Sequence, residues 1–258
     1  MGLVLALLAS PALAQDPVPA PVQQGMVADP CPPDNAGLWA LSPSVLKNDW
    51  GWQCRFAKEN RMTDPAKAVR VVFMGDSITE GWSKLDPSFF APGMINRGIS
   101  GQVSAQMLVR FYQDVVALRP AVVHIMAGTN DVAGNAGPVS AEQYRNTIRS
   151  MVDIARANGI QVVLGSIPPA DRFEWNPAIK PALQIADLNA WLKDYARKNG
   201  LGYADYYKAM AGPNGEMLPA YATDGVHPLA SGYAVMRPIA EKALLEAEAK
   251  AKKAAKKK

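Results

Sequence analysis

The sequence predicts a three-layer α/β fold in which helices cover both faces of a parallel sheet. Three observations carry that reading. Short runs that are apolar throughout recur along the chain, longer amphipathic runs separate them, and Asn-Gly pairs close two of the longer runs. A strand that is apolar on both sides must be buried on both sides, as in parallel sheets under helices. The strands fall at residues 71–74, 94–96, 122–126, 162–164 and 203–205. Between them, residues 103–118, 141–157 and 181–198 repeat their apolar positions at helical intervals. Asn158-Gly159 and Asn199-Gly200 stand where two of these helices need a left-handed cap. A last helix, 230–249, runs into a lysine-rich end that is expected to fray.

The chain has 258 residues, enough for one domain with a sizeable core, placed here at residues 69–248. Its formal charge of +4 comes from the end of the chain. Residues 249–258 hold six lysines and no acid, and taking six from +4 leaves −2 for the rest. The basic balance therefore does not describe the folded body, and nucleic acid is excluded as a partner. The tail is either a solvated end or a weak contact for an anionic surface.

The chain's first part reads as three segments. Residues 1–14 form an apolar run ending in Ala-Leu-Ala, the pattern of a secretory signal, although no Lys or Arg precedes it. That places the protein in the periplasm or outside the cell. The run is too short to span a bilayer, and no later stretch qualifies. Residues 15–37 are a Pro-rich linker. Residues 38–68 form an aromatic arm carrying Trp39, Trp50, Trp52 and Phe56, read as packing surface before ligand platform. The chain's two cysteines, Cys31 and Cys54, form an even pair in an exported chain and are expected to make one disulfide. The alternative is two separate buried thiols.

In open α/β sheets, functional groups gather beyond the C-terminal ends of the strands. There the chain carries Gly75-Asp76-Ser77, then Asn96-Arg97-Gly98-Ile99-Ser100-Gly101, then Gly128-Thr129-Asn130-Asp131; Asp224-Gly225-Val226-His227-Pro228 precedes the last helix. A serine hydroxyl needs a neighbouring base to become a nucleophile. Of the two histidines, His124 lies in an apolar strand and is expected to be a core residue bonded to backbone. His227 follows Asp224 by three residues, a spacing that lets the acid reach one imidazole nitrogen while the other faces Ser77. The same five residues also suit a plain turn. Donors for a developing oxyanion are available from the Ser77 N–H, the Gly101 N–H and the Asn130 amide. Asp76 either shapes the turn at Ser77 or faces solvent.

Together these blocks resemble those of the SGNH (GDSL-like) hydrolase superfamily, from about residue 69 to residue 245. The resemblance implies a single flavodoxin-like, doubly wound parallel sheet and a serine esterase working without cofactor. It assigns Ser77 as nucleophile, Asp224 and His227 as its partners, and Ser77, Gly101 and Asn130 as the oxyanion hole. The segment 166–175 resembles the loop bordering the substrate pocket in that family. Trp82, Phe173 and Trp175 are candidates either for pocket wall or for ordinary packing.

Other designs fit less well. No Gly-x-Ser-x-Gly elbow surrounds Ser77, no phosphate loop or dinucleotide fingerprint is present, and two histidines with paired cysteines argue against a metal site. The expected substrate is a short acyl, above all acetyl, ester of a carbohydrate. The alternatives are a lysophospholipase or lipase-type esterase, a silent carbohydrate-binding member of the fold, and an acyltransferase using the same site.

Overall fold

Five parallel strands pair in the order β2-β1-β3-β4-β5 in the computed structural model of the chain. They are β1 (Val71–Gly75), β2 (Met94–Gly98), β3 (Val122–Met126), β4 (Gln161–Gly165) and β5 (Gly202–Ala204). The structure describes residues 30–31, 42–64 and 67–256. The chain divides into Met1–Cys31 and Pro32–Lys258, and the fold belongs to the second unit. The expected signal segment, most of the Pro-rich stretch and Trp39 lie outside the described residues. Both Cys31 and Cys54 are disulfide-bonded.

The order 2-1-3-4-5 puts β1 and β3 side by side, with the chain winding outward in both directions from them. Alternate residues of each strand serve opposite faces. Val72, Met74, Val123 and Ile125 pack beneath α4 (Ser104–Asp114), α6 (Ala141–Ala157) and α7 (Ala182–Asn199). Val71, Phe73, Val122 and Met126 belong to the other layer, with α3 (Ser77–Leu85), α8 (Tyr206–Met210) and α9 (Ala230–Ala255). All ten residues of β1 and β3 are buried, so the apolar runs mark the centre of a sheet covered on both sides.

The sequence placed the five strands and α4, α6 and α7 within a few residues and assigned no range to α3 or α8; the differences have local causes. The run 103–118 breaks at Val115 into α4 and one 3-10 turn, Val116–Leu118, closed by Arg119 at φ 51°. The last helix does not fray at the lysines. It continues to Ala255, because alanines and lysines are strong helix formers. In the arm, α1 (Pro43–Asn48) and α2 (Ala57–Met62) flank a turn, and Val45, Trp52 and Phe56 pack with Ile99. Ile99 lies in the loop after β2, so the arm rests beside the strand ends. His124 is fully buried, but its partner is the Tyr206 hydroxyl, 2.8 Å from Nε2, rather than backbone.

Candidate active site

The end of β1 and the start of α3 set Ser77. Asp76 caps α3, its Oδ1 accepting from the Ile78 N–H at 2.9 Å. It is a buried turn-shaping acid and not a solvent-facing one. Burial raises its pKa to about 6 against the pull of the Ile78 N–H and of His227. A Cβ at Gly98 would collide with the Glu80 backbone, so glycine there lets α3 sit directly on the end of β2. Glu80 of α3 then reaches the loop after β2, accepting from the Ser100 N–H at 2.8 Å and hydroxyl at 2.5 Å. Burial pushes this carboxyl up, but the Ser100 bonds and Lys84 together hold it below its ordinary value.

The structure brings Ser77, His227 and Asp224 into one line. Ser77 Oγ lies 2.9 Å from His227 Nε2, and His227 Nδ1 lies 2.6 Å from Asp224 Oδ2. The other Asp224 oxygen accepts from the N–H groups of Val226, at 2.9 Å, and His227, at 2.8 Å. Partial burial would raise this carboxyl, yet the bonds from His227 and Val226 lower it below its ordinary value. The five-residue segment is thus a turn as well, and the turn is what aims the imidazole.

Ser77, Ser100, Gly101, Asn130, Asn135, Trp175 and His227 line a cavity of about 330 Å³. Gly101 has φ +82°, a left-handed conformation suited to glycine. The N–H groups of Ser77 and Gly101 donate to no acceptor among the described residues. Asn130 lies in the first turn of the short helix α5 (Thr129–Ala133), and one of its amide N–H groups donates to the Gln102 carbonyl at 3.0 Å. Neighbouring Asp131 holds the start of α4 by accepting from the Ser104 N–H at 2.9 Å and hydroxyl at 2.5 Å.

Of the three aromatics, only Trp175 reaches the cavity. Trp82 is fully buried in the α3 layer, stacked with Phe89 and Tyr233, because its place on α3 faces the sheet. Phe173 is also fully buried and stacks behind Trp175 with ring centroids 5.0 Å apart. It backs the wall without forming its surface. Trp175 is 46% exposed, and its ring lies 6.2 Å from that of His227.

Sequence reasoning missed Ser100 and Asn135 at the cavity and the buried network behind it. Arg110 of α4, fully buried, donates to Gln102 Oε1 at 2.7 Å, to Asp114 at 2.9 Å and to the Arg97 carbonyl at 2.8 Å. It thereby ties the end of β2 to the loop bearing Gly101. Its helical spacing to Asp114 was visible in the sequence, but nothing there showed that the pair is buried. Among the described residues, no cluster of His, Cys, Asp and Glu is arranged to hold a metal ion.

A family model described as the GDSL-like lipase/acylhydrolase family matches residues 73–235. The chain belongs to that family. It carries the fold and family assignment of a serine ester hydrolase. A candidate acylhydrolase from Bacteroides fragilis NCTC 9343 is 46% identical, with a TM-score of 0.74 over 78% of this chain and 99% of that one. A GDSL-like lipase from Bacteroides thetaiotaomicron VPI-5482 is 44% identical, with the same TM-score over 76% and 98%. An acetylxylan esterase from Geobacillus stearothermophilus shares the fold at 21% identity and TM-score 0.57, over 69% and 94%. Among curated proteins, the uncharacterized lipoprotein YqeF of Bacillus subtilis (strain 168) is 32% identical over 79 residues, which span 30% of this chain and 32% of that protein.

Proposed function

We propose that this protein is an exported esterase that removes short acyl groups from a polar alcohol such as a carbohydrate, with Ser77 as nucleophile. The observation that carries the reading is the line Ser77–His227–Asp224 at a cavity that also holds the N–H groups of Ser77 and Gly101, which have no acceptor among the described residues. His227 Nε2 takes the Ser77 proton as Oγ bonds to the ester carbon. Asp224 holds the imidazole and stabilises its charged form. The former carbonyl oxygen, now negative, is met by the two backbone N–H groups and the Asn130 amide. As the bond to the alcohol breaks, His227 returns the proton to the leaving oxygen. Water, activated by His227, then releases the acid and restores Ser77.

The wall of the cavity supports a short acyl group. Each methylene of a longer chain contributes about 0.8 kcal/mol only where an apolar groove buries it. Here Trp175, backed by Phe173, closes one side. An exposed indole beside Asn135 suits the mixed apolar and hydroxyl surface of a sugar. The fold shared with an acetylxylan esterase agrees with that choice, and the apolar residues 1–14 with export.

Fluorophosphonate labelling, with activity on p-nitrophenyl esters from acetate to dodecanoate, tests the reading. Ser77 should be labelled, Ser77→Ala and His227→Ala should be inactive yet folded, and activity should fall from acetate onward. Absence of labelling would mean a silent binding member of the fold. Activity rising towards dodecanoate would mean a lipase-type substrate.

A further inference from the structure

Asn135 and Trp175 belong to a chain of hydrogen bonds that ends on the oxyanion amide. The Trp175 indole N–H donates to Asn135 Oδ1 at 3.0 Å. Asn135 Nδ2 donates to Asn130 Oδ1 at 2.7 Å and reaches the Gly101 carbonyl at 3.5 Å. Asn130 Nδ2 donates to the Gln102 carbonyl at 3.0 Å. The two ends of this chain fix the orientation of both amides. An indole nitrogen can only donate, so Asn135 must turn its oxygen towards Trp175; a backbone carbonyl can only accept, so Asn130 must turn its nitrogen towards Gln102. The middle bond then joins nitrogen to oxygen correctly with no further adjustment. If either amide flipped, two donors or two acceptors would face each other inside the site.

One Asn130 N–H remains without a protein acceptor among the described residues, on a side chain that lines the cavity. An amide whose oxygen accepts a hydrogen bond is also a stronger donor at its nitrogen, because successive bonds polarise one another. We infer that Asn135 is a positioning residue that holds and polarises the Asn130 amide for the oxyanion, and that Trp175 at the cavity rim sets Asn135. An alcohol group resting on Trp175 would then bias the donor that stabilises the transition state. Recognition at the rim and turnover at Ser77 are coupled through two side chains. This rests on the reading of Asn130 as an oxyanion donor, and the experiment separates the two.

The test measures kcat and KM on p-nitrophenyl acetate for the full chain and for Asn130→Ala, Asn135→Ala, their double variant and Trp175→Phe. The last keeps the aromatic face and removes only the N–H, so it checks the connection even if Asn135→Ala folds poorly. Asn130→Ala should lower kcat by about 10²–10³-fold. Asn135→Ala should lower it about tenfold with KM within about twofold, because on this small ester it weakens a transition-state donor more than it alters ground-state contacts. Trp175→Phe should lower kcat less, again with KM kept, and Asn135→Ala should cost nothing further once Asn130 is alanine. If Asn135→Ala and Trp175→Phe turn over normally while Asn130→Ala does not, the coupling is wrong and the oxyanion reading stands. Normal turnover in Asn130→Ala would overturn both. Equal losses from Asn135→Ala with and without Asn130, together with a lower fraction of labelled Ser77, would reduce Asn135 to a structural residue.

Discussion

Two buried groups, His124 within β3 and Asp76 at the end of β1, have pKa values shifted in opposite senses. Burial lowers the His124 pKa to about 3 and raises that of Asp76 to about 6. For His124 the folded value lies below the unfolded one, so its contribution is complete above about pH 6.5 and is lost as pH falls towards 3. For Asp76 the folded value is the higher one, so its contribution is complete below about pH 4 and is lost as pH rises through 6. Urea unfolding at several pH values checks both. Relative to the parent, His124→Gln should gain stability on acidification below pH 6.5, by at most about 1.4 kcal/mol per pH unit. Asp76→Asn should gain on passing from pH 4 to pH 7. Parallel pH curves for parent and variants would show that neither group is held as the structure implies. At this scale the sequence showed which polar residues sit at strand ends, and the structure brings Ser77, Gly101, Asn130 and His227 to one cavity. It did not separate Trp175 from Trp82 and Phe173, because aromatic rings provide apolar area equally in a core and at a rim. Asn135 gave no signal, since an asparagine among glycines is ordinary turn chemistry.

Among the elements, α9 shows where packing ends and propensity takes over. Its buried residues continue through Ala243, Leu244, Ala247 and Glu248. Glu248 receives two bonds from Arg70 just before β1, at 2.9 and 3.2 Å, which fasten the end of the chain to the start of the sheet. Beyond it the helix continues through an exposed Ala/Lys stretch. Ending the chain after Lys250 should therefore change the thermal midpoint by little. Ending it after Lys242 removes those apolar contacts and the Arg70 partner, and should cost about 3–5 kcal/mol or prevent folding. Thermal melts of the two truncations give the answer. The lysine stretch, expected from sequence to fray, stays helical to Ala255, where helix propensity sustains it. The strands were legible because burial on both faces leaves an unbroken apolar run. The break at Val115 was not, because the apolar spacing continues across it.

At the scale of the whole molecule, helical intervals and apolar runs were enough for the layers and for a parallel sheet, and the family resemblance implied its doubly wound form; the order 2-1-3-4-5 comes from the structure, because no local pattern encodes which strand lies beside which. How the arm would dock was equally hidden. Beside its apolar packing, two of its contacts use backbone carbonyl groups, which every residue has: Gln102 and Gln106 donate to the Gly51 and Trp50 carbonyls at 2.9 and 2.7 Å, while the Asn60 side chain bonds Asp114 and Arg97. Gln102 also supplies the carbonyl that holds Asn130. Released from the arm, the sheet and its two layers would keep their own core, while the loop carrying Gly101 and Gln102 would lose its outer support. Function and fold should then fail at different temperatures. With Trp52→Ala, which loosens the arm at its packed end, catalytic activity should disappear several degrees before circular dichroism reports melting; in the parent the two should vanish together. Coincident loss in both would mean that the arm is merely cladding. A protein built this way carries a latent thermal fuse: once the arm is loosened, mild heat switches the chemistry off while the sheet and its layers stay folded.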